Sequence, residues 1–326
     1  MTDSVQRHQP FVLFYWSHHV HSPQFAGFDT TNSTQRGGFG DSLAELDLVV
    51  GRLLRKLDDL QIADDTLVFF SSDNGPSLRN RALGGNAGLL KCGKGTTYEG
   101  GMRVPGLARW PTKIPAGVIQ RQTASLLDLL PTVVRLAADA NITVSDDELV
   151  SQLYLPTDND NDSAATVTLD GFDISGLLTD PEGTSARQGR MVFYPQILRR
   201  DRGLYAARST RAKVHWHTEG SIQSGTSNPD LDCRPTATFS TPIPPLAFDI
   251  GVDPSEVYPL NASETPVTGE MDYHSAVNAA TKVASDHVRG LVWGPKPLLN
   301  AGSFDPALWP CAKPGCHPFP QCCVTS

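Results

Sequence analysis

The residues equipped for chemistry fall in three places. Asp73 and Asn74 follow the apolar run at 66–70, and both offer hard oxygen ligands of the kind that hold calcium or magnesium. Lys94 stands between two glycines in Cys92-Gly93-Lys94-Gly95-Thr96-Thr97-Tyr98-Glu99-Gly100-Gly101. Glycines let backbone and ligand approach closely, and a lysine point charge there would hold an anionic ester. The spacing is not that of a phosphate-binding P-loop. His18, His19 and His21 lie just past the run at 11–16. A continuing strand would put His19 and His21 on one face as a metal pair, or one of the three would act as a general acid. Each group also has a plainer reading. Asn74-Gly75 is a strong turn signal, Lys94 suits a flexible surface loop, and histidines near a strand end commonly pack or face solvent.

These groups need elements to position them. Residues 11–16 are continuously apolar and aromatic, which predicts a buried strand. Residues 27–40 are polar and glycine-rich, a loop. Ser42-Leu43-Ala44-Glu45 has the capping-box pattern, and Leu43, Leu46, Val50, Leu53, Leu54, Leu57 and Leu60 recur at helical spacing, so a helix is expected to about Leu60. Residues 66–70 predict a second buried strand, stopped by Asp73-Asn74-Gly75-Pro76. Strand, helix, strand is the rhythm of a parallel sheet covered by helices, in which ligands gather outside the strands' carboxyl ends. Residues 102–110 add a strand, and 124–138 a helix with Pro131 inside it.

Residues 145–165 are acidic and polar. Asp158, Asp160 and Asp162 alternate like the start of a calcium loop, but Ser163 stands where the glycine belongs and Leu169 where the bidentate glutamate belongs, so a solvated loop is expected. From Met191 the texture changes. Short segments at 191–194, 204–208, 213–217 and 245–250 predict a small antiparallel sheet, followed by a helix over about 270–288 and a cysteine-rich tail. The expected organisation is α/β, with one domain over residues 1–190 and a C-terminal antiparallel-sheet subdomain over 191–326.

At 326 residues the chain is long enough for one large domain, or for a large and a small one. A formal net charge of -8 argues against nucleic acid as the main partner. No run of about 18 apolar residues occurs, so no membrane span is expected. Four glycosylation sequons, at Asn32, Asn141, Asn161 and Asn261, point to the secretory pathway. Six cysteines stand at 92, 233, 311, 316, 322 and 323. Adjacent Cys322 and Cys323 rarely bridge each other, so each reaches Cys311 or Cys316, leaving Cys92 to pair with Cys233. A zinc site of the four tail thiols is the alternative, at a spacing that matches no usual zinc motif. The disulfide reading places the protein outside the cytoplasm. Its first residues have no apolar signal core, so a leader is expected to be missing from this chain.

Phe14-Tyr15-Trp16-Ser17-His18-His19-Val20-His21-Ser22-Pro23-Gln24-Phe25, Phe39-Gly40-Asp41-Ser42-Leu43-Ala44-Glu45-Leu46-Asp47, Ser72-Asp73-Asn74-Gly75-Pro76 and the Lys94 segment together resemble the sulfatases, most nearly the arylsulfatase type. The likeness continues through Leu127-Asp128-Leu129-Leu130-Pro131-Thr132, Leu169-Asp170-Gly171-Phe172-Asp173 and Asp253-Pro254-Ser255-Glu256 to the cysteine-rich tail, in order over nearly the whole chain. It implies an alkaline-phosphatase-like α/β fold and a lysosomal or extracellular hydrolase of sulfate esters. The substrate class it implies is a sulfated small molecule, glycolipid or glycan. Asp73 and Asn74 match two of the family's four calcium ligands. His21 and Lys94 match the groups that contact the sulfate and assist the leaving oxygen. The implied disulfides are Cys92 with Cys233, Cys311 with Cys323, and Cys316 with Cys322.

The resemblance also implies a nucleophile, a hydrated formylglycine made from the cysteine of Cys-x-Pro-x-Arg. That motif is not in this chain. Cys233-Arg234-Pro235-Thr236-Ala237 ends in alanine and uses a cysteine assigned to a bridge. The expectation is therefore an incomplete sulfatase fold: the later part of the family's chain, lacking the paired aspartates and the other lysine and histidine. Such a chain would be inactive alone, with an open sheet edge. The alternative is a catalytically silent product that binds a sulfated ligand or partner.

Overall fold

The computed structural model describes residues 1–139, 170–195, 203–224 and 230–290, apart from 181, 188, 265, 267 and 268. The acidic stretch at 145–165, Asn141, Asn161 and the tail cysteines 311, 316, 322 and 323 lie outside the described residues.

After a short helix α1 (Thr2–Gln6), residues 11–16 depart from expectation. They form no strand and pair with none among the described residues. Phe14 and Trp16 stack with ring centroids 5.5 Å apart, and Trp16 is 85 % exposed. An apolar run becomes a buried strand only when neighbours take up its backbone groups and cover both faces. Here none does.

Helix α2 (Gly37–Asp59) carries the expected leucine repeat but begins upstream of the expected cap, Ser42. Asp41 and Ser42 are buried in its first turns because the preceding loop folds back onto them. The Asp41 carboxylate accepts from the Asn32 N–H (2.8 Å), the Thr34 N–H and the Thr34 hydroxyl (both 2.9 Å). Glu45, one turn on, accepts from the Gly27 N–H at 2.9 Å and bonds His19 Nε2 at 3.2 Å.

Strand β1 (Val68–Ser71), the one-turn helix α3 (Glu99–Met102) and strand β2 (Gly106–Arg109) follow. β1 pairs antiparallel with β2, Val68 opposite Arg109 and Ser71 opposite Gly106. The parallel pairing read from the strand–helix–strand rhythm is therefore not what β1 makes among the described residues. A parallel return needs a crossover of a dozen or more residues, usually a packed helix. Between β1 and β2 the chain offers loops and single turns, and it comes back antiparallel.

The helix expected at 124–138 is a 3-10 turn (Leu126–Asp128) running into α4 (Leu129–Asp139). Ser125 and Asp128 form a reciprocal cap at its start. Pro131 sits in the first turn of α4, where a backbone N–H has no intrahelical acceptor to lose. Asp128 is fully buried. Arg187 donates to it in bidentate fashion at 2.7 and 2.6 Å, and the Phe172 N–H adds a third bond at 2.9 Å. Helix α5 (Ser175–Thr179) lies between these partners in sequence.

The second sheet is as expected: β3 (Val192–Pro195), β4 (Leu204–Arg208), β5 (Ala212–His215) and β6 (Leu246–Asp249), antiparallel in that order. All of β5 and nearly all of β4 are buried. Helix α6 (Tyr273–Gly290) buries Tyr273, Ala276, Ala280 and Ala284, one stripe at helical spacing. Tyr273 and Ala280 share a core with Val214 and Ala247 of the sheet, and the Tyr273 hydroxyl donates to the Pro245 carbonyl at 2.8 Å. Residues Met1–Ser285 form one compact unit and Asp286–Ser326 a second. No helix among the described residues is long and apolar enough to cross a membrane.

Candidate active site

β1 delivers the chain to Asp73 and Asn74, and two backbone bonds then seat that turn against the Lys94 loop. The Gly75 N–H donates to the Gly101 carbonyl at 3.0 Å, and the Lys94 N–H to the Pro76 carbonyl at 2.9 Å. The approach demands glycine. A Cβ on Gly75 would lie 1.8 Å from the Gly100 oxygen, and one on Gly100 2.3 Å from the oxygens of Lys91 and Cys92. The turn carrying Asp73 and Asn74 is thereby held against the Lys94 loop. Asp73 is exposed, Asn74 and Lys94 half-buried. The Lys94 ammonium makes no ion pair or hydrogen bond among the described residues, unlike Lys91 three residues earlier.

His21 hangs from the same region by its neighbours. Asn80 donates to the Ser22 hydroxyl at 3.2 Å, and Gln24 to the Leu83 carbonyl at 2.5 Å, both from the 3-10 segment Leu78–Leu83 that follows Pro76. No hydrogen bond joins His21 to Lys94 or Asp73. The exposed His21 ring donates from Nδ1 to the Ser22 carbonyl at 2.8 Å, so the neutral ring keeps Nε2 as an acceptor and becomes an acid there only as imidazolium. The His19–His21 metal pair does not form. His19 is held between Ser17 (2.7 Å) and Glu45 (3.2 Å) and serves the fold.

Behind Lys94 lies a framework of paired charges. Cys92 and Cys233 are disulfide-bonded, as expected, with Cα atoms 5.2 Å apart. Lys91 Nζ lies 3.1 Å from both Asp230 and Asp232, and the Tyr98 hydroxyl donates to Asp232 at 3.2 Å. Burial, joined by the charge of Asp232, pushes the Tyr98 phenol far above its ordinary value, so it stays a neutral donor. Lys213 Nζ donates to Glu99 at 3.0 Å and lies 3.4 Å from Glu256. Glu256 accepts the Glu99 N–H at 2.5 Å and lies 2.7 Å from His215 Nε2. Arg208 Nε is at ion-pair distance from Glu99, 3.2 Å, without hydrogen-bond geometry.

Burial, reinforced by Lys213, holds the His215 imidazole below its ordinary pKa against the pull of Glu256. The ring is therefore neutral, with Nε2–H donating to Glu256. Burial alone would raise Glu256, but the Lys213 charge and the His215 hydrogen bond outweigh it and keep the carboxyl below its usual range. Sequence reading passed over Glu99, Lys213, His215 and Glu256 as site residues. The available signal was alternation: Lys213 and His215 share one face of a strand whose other members are Ala212 and Val214.

Calcium takes six to eight oxygens. Asp73 and Asn74 supply two neighbouring donors, and no cluster of three or more histidine, cysteine, aspartate or glutamate groups suited to a metal occurs among the described residues. These residues alone do not make a calcium site.

Two family models match the chain in succession: the sulfatase model over residues 2–140, and the model of the C-terminal region of aryl-sulfatase over residues 187–324. Arylsulfatase A of Homo sapiens is 40 % identical over 323 residues, covering 99 % of this chain and 58 % of that protein. The chain belongs to the sulfatase family. N-acetylgalactosamine-6-sulfatase of Sus scrofa is 34 % identical over 325 residues, covering 97 % of this sulfatase chain and 55 % of that protein. A solved sulfatase from Pseudoalteromonas sp. superposes with a TM-score of 0.69 at 24 % identity, covering 88 % of this chain and 50 % of the other. That likeness establishes a sulfatase fold, of which this chain spans about half. Cys233 is fully buried in its disulfide and is no nucleophile. The other Cys-x-Pro, Cys316-His317-Pro318-Phe319-Pro320, ends in proline rather than arginine.

Proposed function

We propose that this chain forms the sulfate-holding wall of an arylsulfatase-type sulfate-ester hydrolase. The observation that carries the reading is the isolation of Lys94. In a loop where Lys91 and Glu99 are both paired, its ammonium has no partner among the described residues, and the backbone bonds of Gly75 and Lys94 join its loop to the turn that carries Asp73 and Asn74. Lys94 would hold a sulfate oxygen and offset the charge that builds there as the ester bond breaks. His21, as imidazolium, would protonate the departing alcohol or phenol oxygen from Nε2. Asp73 and Asn74 would complete a calcium site only with oxygen donors from outside this pair.

No Cys-x-Pro-x-Arg occurs in the chain, so the family's formylglycine nucleophile is not encoded here, and this chain alone binds sulfate without turning over an ester. The Cys92–Cys233 disulfide and the exposed sequons at Asn32 and Asn261 favour an oxidising, secretory or lysosomal setting. The test is para-nitrophenyl sulfate hydrolysis beside equilibrium dialysis with radiolabelled inorganic sulfate. Expected are no turnover, measurable sulfate binding, and affinity about tenfold or more weaker in Lys94→Ala, the scale of one charge-assisted hydrogen bond. Turnover by the chain refutes the inference of inactivity, and unchanged sulfate affinity in Lys94→Ala refutes the assignment of Lys94.

A further inference from the structure

We propose that Glu99, Lys213, Glu256 and His215 form a positioning cluster that sets the placement of the Lys94 loop from within the C-terminal sheet. The inference rests on the reading of Lys94 as the sulfate-holding group. All four side chains are buried, at 1 % exposure or less, and none faces the surface on which Lys94 lies half-open. They come from three separate places in the chain: Glu99 from the end of the loop, Lys213 and His215 from alternate positions of β5, and Glu256 from the segment beyond β6.

The bonding is directed at the loop. Glu256 accepts the backbone N–H of Glu99, the first residue of α3, with one oxygen and meets His215 and Lys213 with the other. Lys213 then closes the ring onto the Glu99 side chain. The neighbouring loop residues are tied to the same face: the Thr97 hydroxyl lies 3.4 Å from His215 Nδ1, and the Tyr98 ring packs 4.8 Å from the imidazole. Thr97, Tyr98 and Glu99 are thus all docked on β5 or its partner, while Lys94 leads into that docked stretch through Gly95 in a left-handed conformation (φ +89°).

Charge balance explains why the cluster holds while buried. Two carboxylates, Glu99 and Glu256, face two cations, Lys213 and Arg208, and His215 is neutral between them. Removing one member leaves an uncompensated buried charge. A core needing only adhesion at this place would be served as well by apolar side chains. A ring of directed bonds instead fixes one register of the loop, and a binding group held from behind loses little freedom when its ligand arrives.

The test uses the full chain. The neutral pair Lys213→Met/Glu99→Gln removes one charge of each sign, and Glu256→Gln, which keeps the side chain's shape and one acceptor oxygen but sets an amide donor in place of the other, is the second variant should the first not fold. Hydrogen exchange by mass spectrometry is read over residues 91–102 and over β4–β6, beside dialysis with inorganic sulfate. Expected is faster exchange confined to 91–102, with β4–β6 protected as in the parent, and sulfate affinity reduced roughly 10- to 100-fold, the scale on which groups that orient metal ligands from behind matter. Loop exchange unchanged in either variant overturns the proposal, as does loss of protection in loop and sheet together, which marks a merely structural role. A parent chain that binds no sulfate refutes the functional reading instead, and loop exchange then still decides whether the cluster positions the loop.

Discussion

Removing the Cys92–Cys233 crosslink should destabilise the chain mainly by freeing its unfolded state. The bridge closes a sequence separation of 141 residues, for which the chain-entropy relation gives about 5 kcal/mol at 25 °C. Residual structure in the unfolded chain lowers that, so a loss of about 3–5 kcal/mol is expected for Cys92→Ala/Cys233→Ala. Alanine is the appropriate replacement because both cysteines are buried, and a serine hydroxyl there would need a partner. The native loop should survive the change. Lys91 remains bonded to Asp232, and Glu99 to Lys213 and Glu256, so three tethers hold residues 91–99 once the bridge is gone. Equilibrium unfolding in guanidinium, followed by tryptophan fluorescence, measures the loss, and hydrogen exchange of residues 91–102 under native conditions measures the loop. A loss below about 1 kcal/mol would refute the entropic argument. So would a loop that exchanges freely in the folded variant, because the crosslink would then be acting on the native state.

Arg187→Ala should cost about 3–5 kcal/mol in the same unfolding assay, since it strands the fully buried Asp128 carboxylate without its bidentate partner; a loss under about 1 kcal/mol would show that the pair is not buried in solution. Stability should fall on acidification below about pH 6.5, where the unfolded chain takes up a proton that the buried His215, with its lowered pKa, refuses. The contribution of His215 is full above its unfolded value and is lost toward its folded one, at up to about 1.4 kcal/mol per pH unit. Glu256, also lowered, adds a second loss as pH drops below about 4.5. Urea midpoints between pH 7.5 and 5.5 test this, and a flat profile that is the same in His215→Gln would sink it. Calorimetric titration should show no calcium binding tighter than about 1 mM, because Asp73 and Asn74 are too few donors; micromolar binding would reveal ligands beyond these two.

What was legible from sequence was whatever depends on neighbours along the chain. The C-terminal strands and α6 follow from short-range alternation and helical spacing, and they appear where the pattern puts them. The stretch from Asp73 to Gly101 was legible for a different reason. Glycines at 75, 100 and 101 are demanded by backbone contacts, so the motif that announces the site is also the one that closes it. The failures share the opposite property. Residues 11–16 and β1 carry strand-like composition, but composition does not say who pairs with whom, and the first has no partner among the described residues while the second found an antiparallel one.

The buried charges were the hardest to see, because Glu99, Lys213, His215 and Glu256 are ordinary surface residues by type and become a core only by meeting one another. An isolated buried lysine pays a desolvation cost that its own segment cannot offset. Lys213, between Ala212 and Val214 in a buried strand, was therefore already evidence of a distant carboxylate. The same reasoning locates function: Lys91, Glu99, Lys213 and Glu256 around the Lys94 loop have each found partners, and the ammonium that has none among the described residues is the one left for a ligand.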